Sequence, residues 1–288
     1  MGGTHLIDVS VIIPTYNRQN FIIESVLSVI NQTYKNFELI IVDDGSTDET
    51  EKKVARLIKF YKDYRITYKK FEENRGSAFA RNRGAEIAKG EYIAFLDSDD
   101  LWLKNKLKEQ INFMKKNNFL ISQTDEIWIR NGKRVNQMEK HKKPSGDIFE
   151  KSLKLCTVSP SSVIIKRDIF FEFDGFDESF LACEDYDLWL RLSLKYPVYL
   201  LPKKLIIKRG GSWEQQSKKI PHLDRLRIES MLKIINQGAL ELHKKERLIK
   251  ELVNKTSIYL NGLLKREKFE EARIFNQKVP EKNEKKIL

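Results

Sequence analysis

Four short apolar runs, each leading into a stretch with helical spacing, constrain this chain more than any other feature. Val9-Ser10-Val11-Ile12-Ile13 is largely β-branched and stops at Pro14, after which Ile22, Val26, Leu27 and Ile30 recur at helical spacing between Phe21 and Gln32. Phe37 to Val42 repeats the strand pattern and ends in Asp43-Asp44-Gly45. Ser46-Thr47-Asp48-Glu49 then reads as a capping box opening a helix that runs to about Tyr61. A third strand over Ile66 to Lys70 leads through Asn74-Arg75-Gly76 into a helix over Ala78 to Ala88, with Gly90 as its stop. Tyr92 to Leu96 follows and is apolar throughout, as in a strand covered by helices on both faces. This β-α-β-α-β-α-β order predicts an α/β fold on a doubly wound, Rossmann-like, mostly parallel sheet, in which ligands bind beyond the C-terminal strand ends.

Later segments are less regular. A helix is predicted over Lys104 to Asn117, and Glu126 to Val135 has the marks of a hairpin turning at Asn131-Gly132. Another strand is expected over Ser162 to Ile165 and a helix from Asp185 to Ser193. From Pro221 the pattern is helical and basic, so the chain divides into residues 1–210 and a helical C-terminal appendage, 211–288. The net charge of +12 sits there almost entirely: the spans 1–100, 101–200 and 201–288 carry −2, +3 and +11. Such a field attracts anionic lipid headgroups, phosphorylated substrates or nucleic acid.

With 41% hydrophobic residues among 288, the chain can bury a sizeable core. Cys156 and Cys183 lack metal-type spacing and suit a reducing compartment. No run reaches the roughly 20 apolar residues of a membrane span, and Met1 to His5 does not read as a signal peptide. A cytoplasmic protein, peripheral at most to the inner face of the membrane, is expected.

Carboxylates gather where the fold would place a ligand. Asp97-Ser98-Asp99-Asp100 follows the fourth strand; carboxylates spaced this way can converge on a hard divalent cation that neutralises phosphate oxygens, although a solvated turn rich in Asp has the same composition. Asp43-Asp44 follows the second strand, where a carboxylate can accept from a nucleotide base or merely begin a turn. Glu184-Asp185-Tyr186-Asp187 suits the acidic start of a helix and equally a general base. GxGxxG and GxxxxGK[ST] loops are absent, which argues against dinucleotide oxidoreductases and P-loop enzymes. The four His residues have no HExxH spacing, and no Ser or Cys elbow occurs.

Taken in order, Pro14-Thr15-Tyr16-Asn17-Arg18, Val42 to Asp48, Asn74-x-Gly76, Ala80-Arg81-Asn82-x-Gly84, Asp97 to Asp100, Gly175-Phe176-Asp177-Glu178 and Glu184 to Asp187 resemble the family 2 glycosyltransferases of the GT-A fold. The resemblance covers roughly residues 8–210 and makes that span the catalytic domain. It implies an inverting transferase that uses a nucleotide-sugar, usually a UDP-sugar, with Mg2+ or Mn2+ and a hydroxyl of a glycan or lipid-linked acceptor. By this resemblance Pro14, Thr15, Tyr16 and Asp44 line the nucleoside pocket, Asp97 approaches the ribose or donor sugar, and Asp99 ligates the metal. Arg81 neutralises diphosphate or holds the Asp cluster, unless it is a surface helix arginine. Asp185 is the implied base, with Glu184 beside it to position the acceptor. The Q-x-x-R-W motif of processive synthases is absent, so a single sugar would be transferred. Arg209 to Trp213 offers no His as a further metal ligand, and Trp213 could stack on a sugar or simply pack in a core.

Two other classes remain open. A sugar-phosphate nucleotidyltransferase would need a Gly-rich basic loop after the first strand, where Pro14 to Arg18 stands. A non-enzymatic module could grip membrane or nucleic acid through its basic C-terminal region. That region lacks the interleaved aromatics of single-strand binding, so no nucleic acid is expected.

Overall fold

The computed structural model describes residues 6–210, 223–238 and 240–278. The expectations placed on Met1 to His5, Gly211 to Trp213, Pro221 and His222 lie outside the described residues. The chain divides into two compact units, Met1–Gln215 and Gln216–Leu288.

The first unit opens with β1 (Val9–Thr15), α1 (Ile22–Ile30), β2 (Phe37–Asp43), α2 (Thr50–Phe60), β3 (Ile66–Lys70), α3 (Ser77–Glu86) and β4 (Tyr92–Phe95). It continues with β5 (Leu101–Trp102), α4 (Lys106–Asn117), β6 (Ile121–Arg130), β7 (Lys133–Val135), α5 (Phe149–Lys154), β8 (Val163–Lys166), α6 (Arg167–Glu172), α7 (Glu184–Ser193) and β9 (Tyr199–Gly210). The sheet runs β3-β2-β1-β4-β8-β6-β9-β5, with β7 paired to β6. Its first four strands are parallel. Beyond β4 it becomes mixed: β8 is antiparallel to β4 and β6, β9 parallel to β6, and β5 antiparallel to β9. The short link Leu96 to Asp100 nevertheless joins β4 to β5, four places away, so the sheet curls until the two come within reach. That link carries the aspartates.

Every residue of β1 and β2 is buried, which explains their unbroken apolar runs. Alternate residues feed opposite layers. Val9, Val11 and Ile13 pack with α1, α2 and α4, whereas Ile12, Ile40 and Phe95 pack with α3 and α7. The hairpin turn at Asn131 (φ 48°) and Gly132 (φ 73°) has the two positive φ values of a type I′ turn.

Two local expectations change. Ser46 to Glu49 is not a capping box, because α2 begins at Thr50 and no side chain caps its Glu49 N-cap position. The Ser46 hydroxyl instead accepts the Asn17 N–H (2.9 Å), tying the end of β1 to the end of β2. Nor is Gly90 the stop of α3, which ends at Glu86. A Cβ at Gly90 would lie 2.5 Å from the backbone nitrogen of Ser10, so this glycine permits close backbone approach.

In the second unit, α8 (Leu223–Asn236), α9 (Leu242–Leu264) and α10 (Phe269–Lys278) bury Met231, Leu248, Leu252, Leu263 and Phe275. Tyr259 meets Phe275 edge-on at 4.7 Å. Among the described residues no helix is long and apolar enough to cross a membrane.

Candidate active site

The tips of β1 and β2 are locked together by a residue in the left-handed region. Asn17 (φ 50°) directs its Oδ1 to the N–H groups of Thr47 (2.9 Å) and Asp48 (3.3 Å). Pro14 and Thr15 are buried beside this clasp, and Tyr16, just past the strand, is 39% exposed. The Thr15 hydroxyl is buried without a hydrogen-bond partner among the described residues. Asp43 accepts the Ser46 N–H (2.8 Å) and the Tyr68 hydroxyl (2.6 Å). The buried Asp44 carboxylate accepts the N–H groups of Arg75 (3.0 Å) and Gly76 (2.7 Å). Burial raises its pKa despite those two N–H groups, which pull the other way.

The loop held by Asp44 runs directly into α3 and carries the site across the sheet. Ser77, the first residue of α3, donates its hydroxyl to Glu184 Oε1 (2.5 Å). One turn on, the Arg81 guanidinium donates to that same oxygen (2.7 Å) and to Asp97 Oδ1 (2.8 Å). Arg81 is therefore no surface arginine; its side chain is only 6% exposed. Burial works against its charge, but Asp97 and Glu184 outweigh that and raise its pKa. Arg81 thus joins the end of β4 to the start of α7. Cys183 enters α7 at φ 61°, a conformation costly for a residue with a Cβ, and turns Glu184 and Asp185 toward this lattice. Asp185 is half-buried; burial and the neighbouring Glu184 charge raise its pKa, while Arg81, the Tyr186 N–H and Lys208 oppose the rise. The Cys156 thiol, near enough to feel the Asp185 charge, is held protonated chiefly by its own burial.

The Asp97 to Asp100 turn is closed by the Asp100 N–H on the Asp97 carbonyl (2.9 Å). Ser25 of α1 donates its hydroxyl to the carbonyls of Ser98 (2.7 Å) and Asp100 (2.8 Å). Asp100 is buried, accepting the Ser161 hydroxyl (2.7 Å) and the Arg209 N–H (2.9 Å). Burial, then the charges of Asp97 and Asp99, push its carboxyl well above the usual range. Asp99 is half-buried, with its carbonyl accepting from the Arg209 guanidinium.

Lys208, on β9, completes the arrangement. Burial would lower its pKa, but Glu126, Asp100, Asp97 and Asp185 surround it and raise the value instead. Lys208, Ser25, Ser77 and Ser161 carried no signal at the level of sequence. Three are isolated serines or lysines in ordinary patterns, and Ser161 sits in a 3-10 turn before β8. Asn17 did carry one, since Asn tolerates positive φ between a strand and a helix.

Among the described residues, no three His, Cys, Asp or Glu side chains gather as a metal cluster. A hard cation of the Mg2+ type needs fewer, because it takes one or two carboxylates and fills its shell with phosphate and water. The oxygen-only donors at Asp97 and Asp99 fit that requirement.

Comparison with known proteins agrees with this geometry. The family model for glycosyl transferase family 2 matches residues 10–172. The Escherichia coli protein WfgD, a UDP-Glc:alpha-D-GlcNAc-diphosphoundecaprenol beta-1,3-glucosyltransferase, is 39% identical over 184 residues, covering 64% of this chain and 69% of its own. An uncharacterised glycosyltransferase of Rickettsia bellii is 42% identical over 186 residues, 64% of this chain and 26% of its own. The chain spans about a quarter to a third of the length of three such rickettsial relatives. Staphylococcus aureus TarS residues 1–349, solved with UDP-GlcNAc, superposes with a TM-score of 0.76 at 25% identity, covering 95% of this chain and 82% of that one. The Pyrobaculum calidifontis mannosyltransferase PcManGT, solved with GDP-Man and Mn2+, shares the fold at a TM-score of 0.65 and 20% identity, over 91% and 76%. With a GT-A architecture and a family match over more than half its length, the chain belongs to glycosyl transferase family 2.

Proposed function

We propose that this chain transfers one sugar, with inversion, from a UDP-sugar to a hydroxyl of a lipid-linked sugar diphosphate. The observation that carries the reading is the Arg81 bridge: Asp97 at the end of β4 and Glu184 beside Asp185 are held by one guanidinium. A donor-side carboxylate and a base-side carboxylate thereby flank one polar centre. The TarS complex with UDP-GlcNAc and the WfgD glucosyltransferase support the donor and acceptor classes.

In this reading the clasped tips of β1 and β2 form the nucleoside pocket. Pro14, Thr15 and Tyr16 line it, and Asp44 shapes it by holding the loop Asn74 to Gly76. Asp97 faces the ribose or donor sugar. Asp99 holds the divalent cation, which when bound stabilises charge on the leaving diphosphate. Asp185 removes the proton of the acceptor hydroxyl as that oxygen attacks C1 and the bond from C1 to the diphosphate breaks. Its raised pKa makes it a stronger base than an exposed aspartate. Glu184, fixed by Ser77 and Arg81, positions Asp185 and the acceptor. Residues 1–210 form the catalytic domain and 211–288 a basic appendage, in which exposed Ile258, Leu264, Phe269 and Ile274 accompany the lysines and suit contact with an anionic membrane surface.

Sugar transfer from UDP-glucose to a synthetic N-acetylglucosamine-diphosphate lipid tests the reading. Asp185→Asn is expected to abolish transfer while UDP still binds; unchanged turnover in Asp185→Asn and Asp99→Ala would reject it. Binding to vesicles containing anionic lipid, weakening as salt rises, checks the membrane role, and equal binding to neutral vesicles contradicts it.

A further inference from the structure

The first unit holds a hollow of about 330 Å3 beside the β6–β7 hairpin. Its lining combines an aromatic wall with cations: Glu126, Trp128, Arg134, Gln137, Lys142 and Lys204 all face it. The segment from Arg130 to Lys143 has six Lys and Arg against one Glu. Its carboxylates are already answered, since Glu126 pairs with Lys143 (2.8 Å) and Glu139 with Lys142 (3.7 Å). Arg134 and Lys204 enter no ion pair among the described residues. The Gln137 amide nitrogen is a buried donor without a partner there. Such a set favours a ligand with one flat, hydroxylated part and one multiply charged anionic part.

The hollow is linked to the candidate active site through β6 and β9. Between Thr124 and Glu126 the pairing of β6 with β9 slips, a bulge of the kind that re-aims side chains near functional sites. Beyond it Glu126 is 3% exposed, accepts the Trp128 indole N–H (2.9 Å) and lies within the field of Lys208. Lys208 stands opposite Trp128 in the register of the two strands and is the cation that Asp97, Asp100 and Asp185 surround.

We propose that this hollow seats the acceptor's stem, a sugar esterified at its anomeric oxygen to phosphate, with the sugar against Trp128 and the phosphate among Arg134, Lys142 and Lys204. The inference rests on the transferase reading and adds to it the place and chemistry of acceptor recognition. An exposed rim of cations beside an amphipathic ring selects for phosphate on the acceptor, not for a neutral glycan end.

Full-length protein saturated with UDP is titrated with N-acetylglucosamine 1-phosphate, with N-acetylglucosamine, with inorganic phosphate and with a short-chain N-acetylglucosamine-diphosphate lipid. The two phosphorylated sugars are expected to bind more tightly than either fragment. Loss of the three cations in Arg134→Ala/Lys142→Ala/Lys204→Ala should weaken both by about tenfold or more, and Trp128→Ala should weaken them while sparing inorganic phosphate. A preference for the lipid form over the 1-phosphate identifies the diphosphate stem as the source; equal binding assigns the phosphate monoester alone. UDP affinity must stay within about twofold in every variant, which shows that the fold is intact. Wild-type affinity in the triple variant, or inorganic phosphate binding as well as the sugar phosphates, overturns the proposal. A wild-type chain that binds no UDP at all would instead sink the transferase reading.

Discussion

Arg81 is the residue on which the polar centre depends. Buried, it donates to two carboxylates from elements far apart in sequence, so removing it leaves the charge of Glu184, whose side chain is only 9% exposed, uncompensated. Arg81→Ala should destabilise the protein by about 3–5 kcal/mol in chemical denaturation. Arg81→Lys keeps a charge but cannot span both partners with a rigid fork, and should recover only part of that loss. Asp185 carries a second prediction. Its carboxyl titrates above the ordinary aspartate value, and a base must be ionised to work. With Asp185 as the proposed base, the acidic limb of kcat/KM should therefore lie above the ordinary aspartate value, with activity rising as pH rises through it. Because Glu184 contributes to the upward push, Glu184→Gln should move that limb to lower pH; a limb that stays put would detach it from Asp185.

At the scale of elements, the alternating first hundred residues were legible because β1, β2 and β4 are buried throughout and the helices between them carry apolar residues at helical spacing. Phe37 to Val42 and Tyr92 to Leu96 could hardly be anything but interior strands. The acidic strand ends were legible for the same reason, since a parallel sheet leaves its ligands nowhere else to bind. What escaped was the last strand of the first unit, β9. Tyr199–Gly210 alternates poorly because it pairs β6 through a bulge, and its Lys208 looks like any other lysine until the curled sheet encloses it. A glycine near a helix end suggests a stop, whereas Gly90 admits the backbone of Ser10. Gly90→Ala should thus cost about 1–3 kcal/mol, through overpacking against main chain that cannot rotate aside. A lowered denaturation midpoint with an unchanged m-value is the expected result; an unaltered midpoint would mean the strand gives way freely.

For the whole molecule, acid stability should reflect one interior pair. Glu126 would be raised by burial alone, yet Lys143 and Lys208 bring it from the ordinary 4.5 to about 2. A carboxyl depressed in the folded state stabilises the protein above its unfolded value and loses that contribution as pH falls toward the folded one. The stability curve should accordingly drop by about 3 kcal/mol between pH 5 and 2 on this account, and Glu126→Gln should flatten the fall. An identical slope in the variant would remove the pair from the explanation. The Arg81 bridge has a consequence on a different clock. A nascent polypeptide with only its first 130 residues outside the ribosome already contains the arginine and Asp97, but Glu184 is still to be translated. Catalytic competence therefore arrives late in synthesis, and a truncated product of that length would be born inert.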